Sequence, residues 1–184
     1  MKLDKLRTKL ESFEEPIIKL LYKRSLYKQN LSNFESNYLS TKLLNKNSND
    51  SIEFKEYINL VIIPLSENGE DSFLKETKRL DKKIIKLISK RINLGNKIVK
   101  LKLEDNYELF KELKNSNNIK KIENLITDKE IEKKIIERVS SKAILYFKDN
   151  SKKIESVKSI YKNIIGRTKE KQIENVLQEI LLNK

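Results

Sequence analysis

The chain has 184 residues, a net charge of +13, 38% hydrophobic and 36% charged residues, and neither Cys nor His. This excludes disulfides, thiolate nucleophiles, zinc sites of the Cys/His kind and every His-based catalytic triad. With only 3 Gly and 2 Pro, apolar residues recurring at three- and four-residue steps and no period-two alternation, the expectation is an all-α bundle of long helices forming one domain over residues 1–184.

The first periodic segment covers residues 3–31, with the stripe Leu3, Leu6/Arg7, Leu10, Phe13/Glu14, Ile17, Leu21. Pro16 interrupts it, either as a kink or in the first turn of a second helix. Residues 32–50, ending NKNSND, read as loop. A short helix is expected over 51–65, capped by Asp50 or Ser51 and stopped near Pro64. SENGEDS is a turn. A second long helix runs over 73–104, short helices over 106–114 and 118–126, and a further helix over 128–147, capped by Thr127 or Asp128. KDNS then breaks the pattern. A last long helix spans 152–182, with Gly166 as a point of loosening.

Several of these helices carry polar residues on the face that should be buried. Ile84, Ile88, Arg91, Gly95, Ile98 and Lys102 step 4-3-4-3-4 along one seam of the central helix. Arg91 and Lys102 are eleven residues apart, so they share a face and stand roughly 16 Å apart along the axis. Lys and Arg are almost never fully buried without a partner, so the pair calls for an anion. Gly95 between them leaves room for a close approach to the backbone. Asp128 and Glu132 head the otherwise apolar stripe Ile135, Val139, Ala143, where helix capping and the helix dipole account for them when taken alone. Thr168 and Gln172 interrupt the stripe Val157, Tyr161, Ile165, Val176, Ile180, and a buried hydrogen-bonded pair would explain them as well. Arg7 and Glu14 read as a salt bridge at the edge of the core, and Arg138 and Arg24 as structural.

The charge suggests nucleic acid or an acidic membrane surface. Against this, 27 acidic residues are interspersed among the 40 Lys and Arg, as in KEIEKKIIERV. Nucleic-acid binders instead gather cations in a patch and interleave aromatics. No nucleic-acid partner is expected. The longest apolar run, INLVIIPL at 58–65, is far below the ~20 residues of a membrane span, so no membrane partner is expected either. MKLDKLRTKL has no apolar targeting core, and a cytoplasmic location is the expectation.

If the four polar-bearing faces converge, they enclose two Arg, one Lys, two carboxylates, a hydroxyl and an amide. Two guanidiniums suit a small dicarboxylate, and the carboxylates suit a hydroxyl on the same ligand. With no obvious nucleophile or His base, such a site works by orientation and electrostatics.

On these residues the chain resembles the all-helical chorismate mutases, most closely the fungal and plant type. LRTKLESFEEPIIKLLYKRS (6–25) is similar to that family's opening helix, and LISKRINLGNKIVKLK (87–102) to its central helix, including the Arg-to-Lys spacing. FKELKNSNNIKKIENLITDKEIEKKIIERVSSKA and VKSIYKNIIGRTKEKQIENVLQEI follow in order. The resemblance covers roughly residues 3–30 and 55–182. It implies a cofactor-free and metal-free Claisen rearrangement of chorismate to prephenate, in the branch to phenylalanine and tyrosine, by a homodimer. It assigns Arg7 and Arg91 to the two carboxylates and Lys102 to the ether oxygen and one carboxylate. Glu132, with Asp128 one turn earlier, faces the ring hydroxyl. Thr168 lies near the ring carboxylate and Gln172 is the second group on the ether oxygen.

The chain departs from the fungal pattern in four places. Fungal members carry Glu at the position of Gln172 and Asn at that of Asp128, and Pro16 is unusual within the first helix. The segment before the central helix is cut to residues 32–78, and SFLKETKRLD lacks the Gly-Ser of the effector-binding loop. Regulation by tyrosine and tryptophan is therefore expected to be weak or absent. The alternative is a catalytically inactive helical relative acting as a basic interaction protein, in which at least one of Arg7, Arg91, Lys102, Glu132, Thr168 and Gln172 should be lost.

Overall fold

A computed structural model of the chain describes residues 2–27, 61, 74–105, 108, 111–112, 119–148 and 150–182. Among them are six helices and no strand: α1 (Lys2–Glu11), α2 (Glu14–Ser25), α3 (Leu74–Asp105), α4 (Ile119–Ile126), α5 (Lys129–Phe147) and α6 (Ser151–Leu182). The all-α expectation holds. The loop expected over 32–50, the helix over 51–65, the turn over 66–72 and the helix over 106–114 lie outside the described residues, apart from residues 61, 108, 111 and 112. Most of the shortened insert lies outside them as well.

Of the two expectations for the segment over 3–31, a kink at Pro16 or a second helix with Pro16 in its first turn, the second holds as far as the segment is described: two helices are parted at Ser12 and Phe13. Pro16 is the cause. It has no N–H to offer the carbonyl of Ser12, and its ring crowds that carbonyl, so it is tolerated only in a first turn. It stands there, third after the cap residue Phe13. Glu14 and Glu15 favour the positive end of the new helix. Asp128 caps α5, its Oδ1 accepting from the Ile131 N–H at 3.0 Å. Asn150 does the same for α6 through the Lys153 N–H at 3.0 Å. Gly166, expected to loosen the last helix, does not interrupt it.

Two apolar clusters hold the bundle, and α3 and α6 run through both. The larger joins Ile17, Ile18 and Leu21 of α2, Ile84, Ile88 and Ile92 of α3, Val139 and Ala143 of α5, and Val157 to Ile165 of α6. The smaller joins Val99 and Leu103 of α3, Ile122 and Ile126 of α4, and Val176 and Ile180 of α6. The polar seam residues Arg91, Gly95, Thr168 and Gln172 fall between the two clusters.

Two charged networks tie α2 to its neighbours. Arg24 and Asp81 form an ion pair, Nε to Oδ1 at 2.9 Å, with side chains 4% and 1% exposed. The Glu14 carboxylate, fully buried, pairs with Arg138 at 2.9 Å and Lys142 at 3.0 Å of α5. The expected Arg7–Glu14 bridge is thus corrected: Arg7 faces Asp4 at 4.0 Å, because the Glu14 carboxylate is buried against Arg138 and Lys142 of α5. Both Arg138 and Arg24 are structural, as expected.

Asp81→Ala strips a buried guanidinium of its carboxylate, and a loss of about 3–5 kcal/mol is expected. It should appear as a lower denaturant midpoint with unchanged slope. Replacing Arg24 and Asp81 together by Met and Leu should cost much less, because no charge is then left buried.

Candidate active site

The gap between the two clusters is a cavity of about 130 Å³. All seven residues singled out from the sequence line it: Arg7 from α1, Arg91 and Lys102 from α3, Asp128 at the start of α5, Glu132 within α5, and Thr168 and Gln172 from α6. Ile98, Ile131, Ile135 and Ile165 form apolar wall between them.

Arg91 is the most constrained of these groups. It is 2% exposed, and its Nε has no hydrogen-bond partner. Its guanidinium lies 5.9 Å from the centre of the Tyr161 ring, a cation–π distance. The Tyr161 hydroxyl donates to the Glu14 carbonyl at 2.9 Å, which locks the ring in place. Burial pushes the Arg91 guanidinium below its ordinary value, while the Glu14 carboxylate pulls the other way. A guanidinium does not deprotonate in a protein, so the fold carries a buried cation with an unsatisfied donor in the cavity wall.

Lys102 marks the other end. Its pKa is lowered, first by burial and then by the Arg7 charge, and the Asp128 carboxylate opposes both. Two positive poles therefore face each other along the cavity: Arg91 at one, Lys102 with Arg7 at the other. In the free protein Lys102 should lose its proton below the ordinary lysine value of 10.5. A function that needs this cation should then decline on an alkaline limb below that value, read in kcat/KM, which reports the free enzyme. A limb at or above it would contradict the arrangement.

Gly95 explains how α3 and α6 meet. A Cβ there would stand 2.5 Å from Thr168 Cγ2 and 3.2 Å from Gln172 Nε2. The room left by the glycine is thus taken by the two α6 side chains. Gln172 Nε2 donates to the Gly95 carbonyl at 2.8 Å, a group that α3 would otherwise use only within the helix. An amide nitrogen carries two hydrogens, so one remains for a ligand. The single hydroxyl hydrogen of Thr168 goes to the Ile164 carbonyl at 2.6 Å.

One charged lining residue escaped the sequence reading. Lys169 Nζ pairs with Glu132 Oε1 at 2.7 Å and lines the same cavity. It lies beside the Thr168 stripe rather than on it, and nothing marks it among the 40 Lys and Arg. A lysine flanking a polar break in an apolar stripe is the one available signal. Among the described residues, with Lys169, the cavity wall holds four cations, Arg7, Arg91, Lys102 and Lys169, against two carboxylates. The excess of two positive charges matches a dianion.

Fold and site together define an all-helical protein with a net-positive cavity between its long helices. The chain belongs to the chorismate mutase type II family, whose sequence pattern matches residues 73–173. It is 30% identical to the chorismate mutase of Schizosaccharomyces pombe over 147 residues, covering 74% of this chain and 58% of that protein. It is 31% identical to the Saccharomyces cerevisiae chorismate mutase over 145 residues, covering 73% and 56%. The chain thus spans less than three fifths of these relatives' length. The fold is similar to that of the Candida albicans chorismate mutase Aro7p, solved in complex with L-Trp: TM-score 0.69, 22% identity, 94% of this chain and 89% of that one.

Proposed function

We propose that the chain is a chorismate mutase, rearranging chorismate to prephenate without cofactor or metal. The observation that carries this is the buried Arg91 with its unused Nε at one pole of a cavity bearing two excess positive charges.

Arg91 and Arg7 hold the two carboxylates of the substrate at the two poles, which folds the enolpyruvyl chain over the ring. The C–O bond breaks ahead of C–C formation, so negative charge grows on the ether oxygen. Lys102 and the second N–H of Gln172 stabilise that oxygen more in the transition state than in the ground state, which lowers the barrier. Glu132 accepts the ring hydroxyl. Thr168 stands by the ring carboxylate and reaches it by turning its hydroxyl away from Ile164. Asp128 sustains the charge on Lys102 while capping α5. The reading includes one domain, a homodimer and a cytoplasmic location, with little or no control by tyrosine or tryptophan. The inactive-relative alternative would have lost one of Arg7, Arg91, Lys102, Glu132, Thr168 and Gln172, and all six stand in the cavity wall.

The test is the loss of chorismate's diene absorbance with purified protein, with prephenate as product. No loss above the spontaneous rate, in protein that circular dichroism shows to be helical, would overturn the proposal. Gln172 donates without titrating, so turnover should persist across pH 5–8. Gln172→Glu should confine turnover to the acid side, since a carboxyl donates only when protonated. Equal profiles for the two proteins would remove Gln172 from the ether oxygen.

A further inference from the structure

The proposed reading places a carboxylate, Glu132, in a cavity for a dianion. A partly desolvated anion repels the carboxylates of its own substrate. The structure supplies an answer on α6. Lys169 Nζ is 2.7 Å from Glu132 Oε1, with side chains 28% and 27% exposed. Both residues, with Ile165, line the site cavity and also a second, outer cavity between α5 and α6, bordered by Lys133, Lys162 and Gly166. The ion pair is therefore the wall between the two spaces. On the outer side a Cβ on Gly166 would meet nothing within 4 Å, and Glu132 is the carboxylate that the Lys169 ammonium meets.

We propose that Lys169 is a positioning residue that cancels the charge of Glu132. Glu132 then accepts a hydrogen bond from an uncharged hydroxyl without repelling the carboxylates of the same ligand. This deepens the reading above and rests on it. It also defines the ligand class at this wall: a hydroxyl on a dianion, with its carboxylates held at the two cationic poles away from Glu132. Lys169 has no contact with the breaking bond, so it acts equally on ground and transition state. Its loss should appear in KM and leave kcat nearly unchanged.

The experiment compares wild type, Lys169→Met, Lys169→Arg, Glu132→Gln and the Glu132→Gln/Lys169→Met pair, using chorismate as the probe. Lys169→Met should raise KM roughly tenfold with kcat within about threefold. Lys169→Arg should restore KM to within about threefold, since it keeps the charge. In the Glu132→Gln background, where no carboxylate needs cancelling, adding Lys169→Met should change KM less than about twofold. A wild-type KM in Lys169→Met would reduce the pair to an ordinary ion pair on the wall and overturn the inference. An equal KM increase in both backgrounds would also overturn it, since Lys169 would then act without Glu132. An inactive wild type would remove the chorismate reading and this inference together, and the wild-type arm alone reveals that case. Should Lys169→Met not fold, the Lys169→Arg and Glu132→Gln arms still decide: an arginine KM far above wild type overturns the charge-cancelling role.

Discussion

Arg91→Met should abolish turnover and at the same time stabilise the fold. The activity loss follows from its place at one pole of the cavity. Removing a charged donor that holds a carboxylate in a partly desolvated site costs about 10³-fold or more in kcat/KM. The stability gain follows from burial. Arg91 is 2% exposed, its Nε is unsatisfied, and burial disfavours its charged form. A methionine fills much of the same volume, keeps contact with the Tyr161 ring and leaves no buried charge. A rise of a few degrees in the thermal midpoint is expected, beside near-complete loss of chorismate consumption. The two outcomes together separate a binding group from a structural one. A midpoint several degrees lower would mean that the fold relies on the Arg91–Tyr161–Glu14 arrangement, and retained turnover would mean that Arg91 binds no substrate.

Gly95→Ala should disable the site from the opposite wall. In an isolated helix the change would stabilise by ~1 kcal/mol. Here the added methyl would sit 2.5 Å from Thr168 Cγ2 and 3.2 Å from Gln172 Nε2. The atom in the way is a methyl on the stiff Thr168 side chain, whose hydroxyl is tied to Ile164, so α3 and α6 must part. Overpacking of this kind costs about 1–3 kcal/mol, and the net result should be modest destabilisation. The effect on activity should be larger, a loss of about 10²-fold, because a shift near 1 Å displaces the Gln172 donor. The double variant Gly95→Ala/Thr168→Ser removes Cγ2 and keeps the hydroxyl. It should recover most of the stability and much of the activity. No recovery would mean that the glycine matters for some reason other than the approach of Thr168.

Lys102 and Gln172 divide the pH dependence between them. The lysine, lowered chiefly by burial, limits the alkaline side, while the amide imposes no limit on the acid side. A dianion bound beside Lys102 would raise its pKa again, so the alkaline limb in kcat should lie above that in kcat/KM.

The all-helical class and most helix ends were legible in the sequence, because three- and four-residue apolar steps, caps and prolines act over a few residues. The expected helices over 73–104, 118–126 and 152–182 match Leu74–Asp105, Ile119–Ile126 and Ser151–Leu182 within one residue at each end. The seven polar breaks on apolar faces were legible too, since a polar group at a buried register is anomalous wherever the helix later packs. What brought them together was tertiary. Arg7 and Glu14 do not pair, because the Glu14 carboxylate is buried against Arg138 and Lys142 of α5. Which helix met Gly95 depended on how α3 crosses α6, and the partners proved to be Thr168 and Gln172. Lys169 had no local signature, because an ion pair across 37 positions of chain depends on how α5 and α6 pack and not on any periodicity. Local spacing determined which residues face inward; only the packing of helices distant in sequence decided which of them share a cavity, and with what net charge.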